Sequence, residues 1–129
     1  MTPLRFRAYD KEQGIMMSHE DIDRSDKEGI IMWGDLFNGK EKEIVVMRST
    51  GRKDRSGKEV FEGDIVTFCK YGRGDQKGIG EVWWQDVLCA FVIDWRDEEE
   101  PTPAQIQHSA ELEIIGNIYE NPDLLPKAA

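Results

Sequence analysis

The chain has 129 residues, of which 39% are hydrophobic and 33% charged, and its formal net charge is −9. That length supports one domain with a single small core, without metal or disulfide staples. No apolar run approaches the roughly 20 residues of a membrane helix, and a pI near 4.7 argues against general nucleic-acid binding, which needs a phosphate-neutralising surface.

Residues 4–9 alternate apolar and polar side chains, the period of a half-buried strand. Asp10 to Gly14 reads as a turn, and Ile15-Met-Met resumes as a second strand, giving an N-terminal hairpin. Ser18 and Asp21 have the spacing of a helix N-cap, so a turn of helix or irregular chain is expected there. Asp23 to Gly29 reads as a charged loop, and Ile30 to Trp33 as a short apolar run. Asn38-Gly39 reads as a hairpin turn, because both residues accept positive φ.

Ile44 to Met47 is a strand of mostly β-branched residues. Thr50-Gly51 is expected to turn the chain into a charged tip, which Ser56-Gly57 closes. Val60-Phe61 starts a short strand, Glu62-Gly-Asp64 turns, and Ile65 to Tyr71 follows as a strand. That strand puts Ile65, Thr67, Cys69 and Tyr71 on one face and Val66, Phe68 and Lys70 on the other. After a glycine-rich loop, Ile79–Trp84 and Leu88–Trp95 are expected to form a hairpin around Gln85-Asp-Val87. Asp97–Glu100, with Pro101 and Pro103, marks a break. Glu111–Ile115 is a last strand, and Asn121-Pro122 opens a short helical turn through Leu125.

About eight short strands separated by glycine turns predict an all-β fold. Their order in the second half is the layout of a small SH3-like barrel. Residues 58–125 are assigned to that barrel. Residues 1–57 are assigned to an N-terminal β-hairpin and irregular region packed on it, and 126–129 to a frayed end.

The charge is uneven: residues 1–64 carry 14 acids and 12 bases, whereas 65–129 carry 12 acids and 5 bases. Within the first part lies a basic cluster, Arg48, Arg52, Lys53, Arg55 and Lys58 against the single acid Asp54. A basic hairpin on an acidic body is suited to a phosphate backbone or an acidic partner. The competing structural reading is a solvated turn that keeps a strand edge soluble. Trp83 and Trp84 are adjacent in a strand and so point to opposite faces, one into the core and one at least partly exposed. An exposed aromatic on such a barrel can serve peptide or base stacking; edge packing is the competing reading.

Cys69 and Cys89 both fall in strand-like runs and read as small buried apolar residues. His19 with Glu20, Asp21 and Asp23 matches no structural zinc spacing and reads as exposed loop. The loop Gly72 to Gly78 lacks the Gly-Lys-Ser/Thr ending of a phosphate-binding loop. No nucleophile-and-base arrangement has local support, so neither an enzyme nor a cofactor is expected.

Three blocks resemble the YopX family of small bacteriophage and prophage proteins. They are Phe6-Arg-Ala-Tyr-Asp10, then Met47 to Val66 with its Thr-Gly-Arg-Lys-Asp-Arg-Ser-Gly-Lys-Glu-Val-Phe-Glu-Gly-Asp stretch, then Glu113-Ile-Ile-Gly-Asn-Ile-Tyr-Glu-Asn-Pro122. The resemblance implies an SH3-like barrel and a phage-related origin, and implies no activity and no catalytic residues. The sequence is thus read as a cytoplasmic, non-catalytic binding or accessory module without a membrane segment. Its partner is an unidentified protein or nucleic acid, met through the basic tip and an exposed tryptophan. Two alternatives stand beside it: an acidic decoy that occupies a host nucleic-acid-binding protein, and a homo-oligomer built on strand edges.

Overall fold

The computed structural model describes residues 4–39, 43–69, 77–94 and 112–125. The fold is mainly β, with two antiparallel sheets. The chain divides into two compact units, Met1–Ser49 and Thr50–Ala129.

The first unit opens with the expected hairpin, β1 (Phe6–Asp10) and β2 (Ile15–Met17). The Asp10 carboxylate accepts the backbone N–H groups of Glu12 and Gln13, and Gly14 takes a φ of +69° that closes the turn. The early part of β3 (Ile44–Lys53) pairs antiparallel with β1, placing Ala8 opposite Val46. Between these strands the chain is more helical than the sequence suggests. Helix α1 spans His19–Lys27 and begins with a capping box. Ser18 Oγ accepts the Asp21 N–H while the Asp21 carboxylate accepts the Ser18 N–H, both at 3.1 Å. The segment read as a charged loop therefore belongs largely to this helix, whose single buried side chain is Ile22. Ala8, Ile22 and Leu36 form the core of the unit, with Met17, Ile31, Trp33, Ile44 and Val46 packed against it.

Helix α2 (Trp33–Phe37) replaces the expected hairpin turn at Asn38-Gly39. Asn38 caps its C-terminus, and Gly39, with φ +72°, donates to the Leu36 carbonyl. A positive φ after a helix satisfies the same asparagine-glycine preference as a hairpin turn, and the two cannot be told apart locally.

The second unit holds the end of β3, β4 (Glu59–Phe61), β5 (Asp64–Cys69), β6 (Lys77–Gln85), β7 (Ala90–Asp94), β8 (Glu113–Asn117) and a 3-10 helix (Pro122–Leu124). Strands β7, β6, β5 and β8 pair in that order and form the curled half-barrel of an SH3-like fold. The curl has a visible cause at β8. Ile65 faces Gly116 but Val66 faces Ile114, so Ile115 is an extra residue and the strand bulges. Val60, Val66, Phe68, Val82, Ile93 and Leu112 fill the core, which takes the Val66/Phe68 face of β5.

Four local expectations are corrected here. Thr50-Gly51 does not turn the chain but lies within β3. Thr50 Oγ1 donates to the Val60 carbonyl and accepts the Arg52 N–H, so the strand absorbs the positive φ of Gly51 and stays paired. The β6–β7 turn runs from Asp86 to Cys89, so Leu88 and Cys89 are not strand residues. Cys89 is exposed rather than buried, with a φ of +49°, and its N–H closes on the Asp86 carbonyl. Asn121 does not cap the last helix with its side chain, although Pro122 opens that helix as expected. Residues 70–76 and 95–111, including Asp97–Glu100 and Trp95, lie outside the described residues.

Gly80 is the tightest point of the half-barrel. A Cβ there would stand 2.5 Å from Ile93 Cγ2 and 2.8 Å from the Asp94 carbonyl oxygen. The Asp94 backbone cannot yield as a flexible side chain can, so Gly80→Ala is expected to cost about 1–3 kcal/mol. Gly34 has open space around its Cβ position and sits in α2, so Gly34→Ala is expected to be neutral or mildly stabilising. Urea denaturation of both variants checks the contrast, and equal midpoints would refute the clash.

Candidate functional site

The basic cluster is spread over two settings. Arg48 is exposed on β3 in the first unit, where its register partner is Phe6 of β1. Arg52, Lys53, Arg55 and Lys58 share the β3–β4 hairpin of the second unit, and all four are exposed. Arg55 pairs with Glu113 of β8 at 3.7 Å. Arg52, Lys53 and Lys58 make no ion pair with any described residue.

The residue that organises this hairpin is Asp54, the one acid of its basic tip. Charge density at the tip suggested full exposure, yet Asp54 is only 5% exposed. Its Oδ1 accepts the Ser56 and Lys58 N–H groups, each at 2.9 Å, which shapes the turn. Its Oδ2 accepts the Ile114 N–H at 3.0 Å, sixty residues further along the chain. The Arg55 N–H donates to the Leu112 carbonyl at 2.8 Å, beside that link. The hairpin is thus bolted to β8 and the residue before it by one side-chain-to-backbone and one backbone bond, while its cations project into solvent. Sequence reading missed Asp54 because the second half of its bonding lies outside any local window; its position between basic residues was the only signal.

Burial by itself would raise the Asp54 pKa. The N–H groups of Ile114, Lys58 and Ser56, together with the Lys58 charge, outweigh that and hold the carboxyl below its ordinary value.

The tryptophans are less divided than alternation suggests, since both are half-buried. Trp84 faces Phe91 across the β6–β7 pair, with ring centroids 5.1 Å apart at 74°, and Phe91 packs on the core. Trp83 lies opposite Val92, and its indole N–H is buried without an acceptor among the described residues. Neither ring is brought next to the hairpin by any described contact.

The other residues of the middle and C-terminal blocks are tied to one another. The Asp64 carboxylate is buried and accepts the Phe61 N–H at 2.8 Å. Gly63, at φ +86°, donates to the Val82 carbonyl and accepts the Ile118 N–H. Asn117 Oδ1 accepts the Tyr119 and Glu120 N–H groups, and Asn117 Nδ2 donates to Glu120 Oε1. Gly116 is required because a Cβ would lie 2.6 Å from Asn121 Oδ1, the atom that accepts the Asn117 N–H. These residues build turns and a strand crossing. His19, read as loop, is a half-buried residue of α1 whose Nδ1 accepts the Phe6 N–H at 3.1 Å. Among the described residues, no helix is long and apolar enough to cross a membrane.

The Asp54 geometry has a testable pH consequence. A carboxyl whose folded pKa is depressed stabilises the protein above its unfolded pKa, and that stability is lost as pH falls through the folded value. The window therefore opens at the unfolded aspartate value of about 3.9 and extends downward. Asp54→Ala is expected to cost about 2 kcal/mol, since three partly buried N–H groups lose their charged acceptor. Asp54→Asn should flatten the acid limb of a melting temperature against pH curve. An acid limb with unchanged slope in Asp54→Asn would sink this assignment.

Comparison with known proteins agrees with the architecture. No protein of curated function matches the chain. Among solved structures, the crystal structure of protein EF1440 from Enterococcus faecalis is similar, with 26% identity and a TM-score of 0.61, over 98% of this chain and 100% of that one. The X-ray structure of protein yopX from Bacillus subtilis shares the fold at 20% identity and a TM-score of 0.58, again over 98% of this chain and 100% of that one. The YopX protein family matches residues 5–126, so nearly the whole chain is accounted for, and the protein belongs to the YopX family.

Proposed function

We propose that the protein is a non-catalytic accessory module of phage or prophage origin, acting in the bacterial cytoplasm. It docks on an acidic surface of a protein partner through the β3–β4 hairpin. The observation that carries this reading is the combination at the tip: a backbone held by the buried Asp54, presenting Arg52, Lys53 and Lys58 without an ion-pair partner among the described residues. Cations on a preorganised turn lose less entropy on binding than cations on a free loop. The net charge of −9 favours a protein over duplex nucleic acid, because the dense phosphate field would repel the rest of the chain. Arg55 contributes less, since Glu113 already engages it.

The test is affinity capture from bacterial host lysate treated with nuclease, comparing wild type with the triple variant Arg52→Ala, Lys53→Ala, Lys58→Ala. A discrete protein captured by wild type and lost in the variant, at unchanged melting temperature, is the expected result. These side chains are exposed and make no ion pair with any described residue, and the Lys58 charge is the smallest of the influences on Asp54, so stability should shift by less than about 0.5 kcal/mol. Capture that survives the triple substitution would remove the hairpin as the docking element. Capture that vanishes with nuclease would replace the protein partner with nucleic acid.

A further inference from the structure

The first unit carries a second surface that the hairpin reading does not use. Phe6, Trp33 and Phe37 form an aromatic cluster, with centroids 5.0 Å apart for Phe6–Phe37, 5.9 Å for Phe6–Trp33 and 5.8 Å for Trp33–Phe37. The last pair is nearly parallel, at 14°. His19 lies 5.0 Å from Trp33 on the α1 side. The cluster is not enclosed: Phe37 is 56% exposed, while Phe6 and Trp33 are half-buried. It is nonetheless held in place. The Trp33 indole N–H donates to Asp23 Oδ1 at 2.9 Å, and the Phe6 N–H donates to His19 Nδ1.

Its electrostatic setting is acidic on the helical side, whereas Arg48, the register partner of Phe6, lies on the strand side. Residues 19–37 hold six carboxylates against two cations, a net of −4. Arg24 pairs with Asp21, and Arg5 from β1's approach pairs with Glu20. Asp23, at the edge of the indole, has no ion-pair partner among the described residues. An exposed aromatic face with a carboxylate at its rim attracts a cation twice, through the ring quadrupole and through the charge.

We propose that this face, Phe6, Trp33 and Phe37 beside Asp23, docks a cationic peptide segment that lays an arginine or lysine side chain on the rings. The cation's aliphatic stem covers Phe37, and its charged head lies against the Asp23 carboxylate. The partner is a protein segment opposite in charge to the one that fits the hairpin, so the two surfaces are independent.

The experiment uses the full chain, labelled with nitrogen-15, and follows its four tryptophan indole signals by NMR while a short peptide alternating arginine and leucine is added. The Trp33 indole signal is expected to move most, and the matching glutamate-leucine peptide is expected to move none. Asp23→Asn keeps an acceptor for the indole N–H but removes the charge, and should weaken binding by roughly threefold. Phe37→Ser should weaken it at least as much. Asp86→Asn, in the exposed β6–β7 turn, is the charge-matched control and should leave affinity unchanged. A Trp33 signal that does not move would overturn the proposal. So would equal weakening by Asp86→Asn and Asp23→Asn, which would reveal general attraction to an acidic chain. If Phe37→Ser unfolds the unit, the Asp23→Asn and Asp86→Asn pair still decides.

Discussion

The buried Asp54 carboxylate is the constraint on which the second unit depends. One side chain satisfies two N–H groups of its own turn and one N–H of β8, and so joins a local hairpin to a strand sixty residues away. A neutral side chain of similar shape would offer weaker acceptors at the same place, because a charged acceptor forms the stronger bond. A charge buried to this extent is tolerable only with such a set of donors. The arrangement also explains why a run of basic residues can surround it: their side chains leave for solvent while the backbone turns inward.

The Gly63–Asp64 turn and the Gly116–Asn121 segment work in the same way. Asp64 and Asn117 are paired across β5 and β8, and each uses its side chain to hold the turn next to it. Glycine is needed at Gly63 for its backbone angle and at Gly116 for the close approach of Asn121. The residues that give the chain its family resemblance thus account for how the half-barrel closes.

Much of the strand order was legible in the amino-acid pattern, for identifiable reasons. Strands β1, β2, β4 and β5 announce themselves by alternation and β-branching, and their turns by glycines that do take positive φ at positions 14, 57 and 63. The failures share a cause. Asn38-Gly39 ends a helix, Thr50-Gly51 bends a strand, and Cys89 adopts a left-handed angle in a turn. In each case a short motif is compatible with two backbones, and the choice is made by partners distant in sequence. The helix at His19–Lys27 was underread for a related reason, since its apolar contribution to the core is the single residue Ile22.

The sequence alone determined the class of the fold, the family and the identity of the basic residues, because composition, period-2 patterning and turn chemistry are local properties of a chain. The tertiary structure decided which residues of the tip are held and which project into solvent. Asp54 is buried and Arg55 is paired, whereas Arg52, Lys53 and Lys58 project from a fixed turn. It also brought Phe6 of β1 against Trp33 and Phe37, which lie one helical turn apart in α2. The physical reason is the same in both cases: burial and ring contact are set by long-range pairing, and no window of neighbouring residues contains that information.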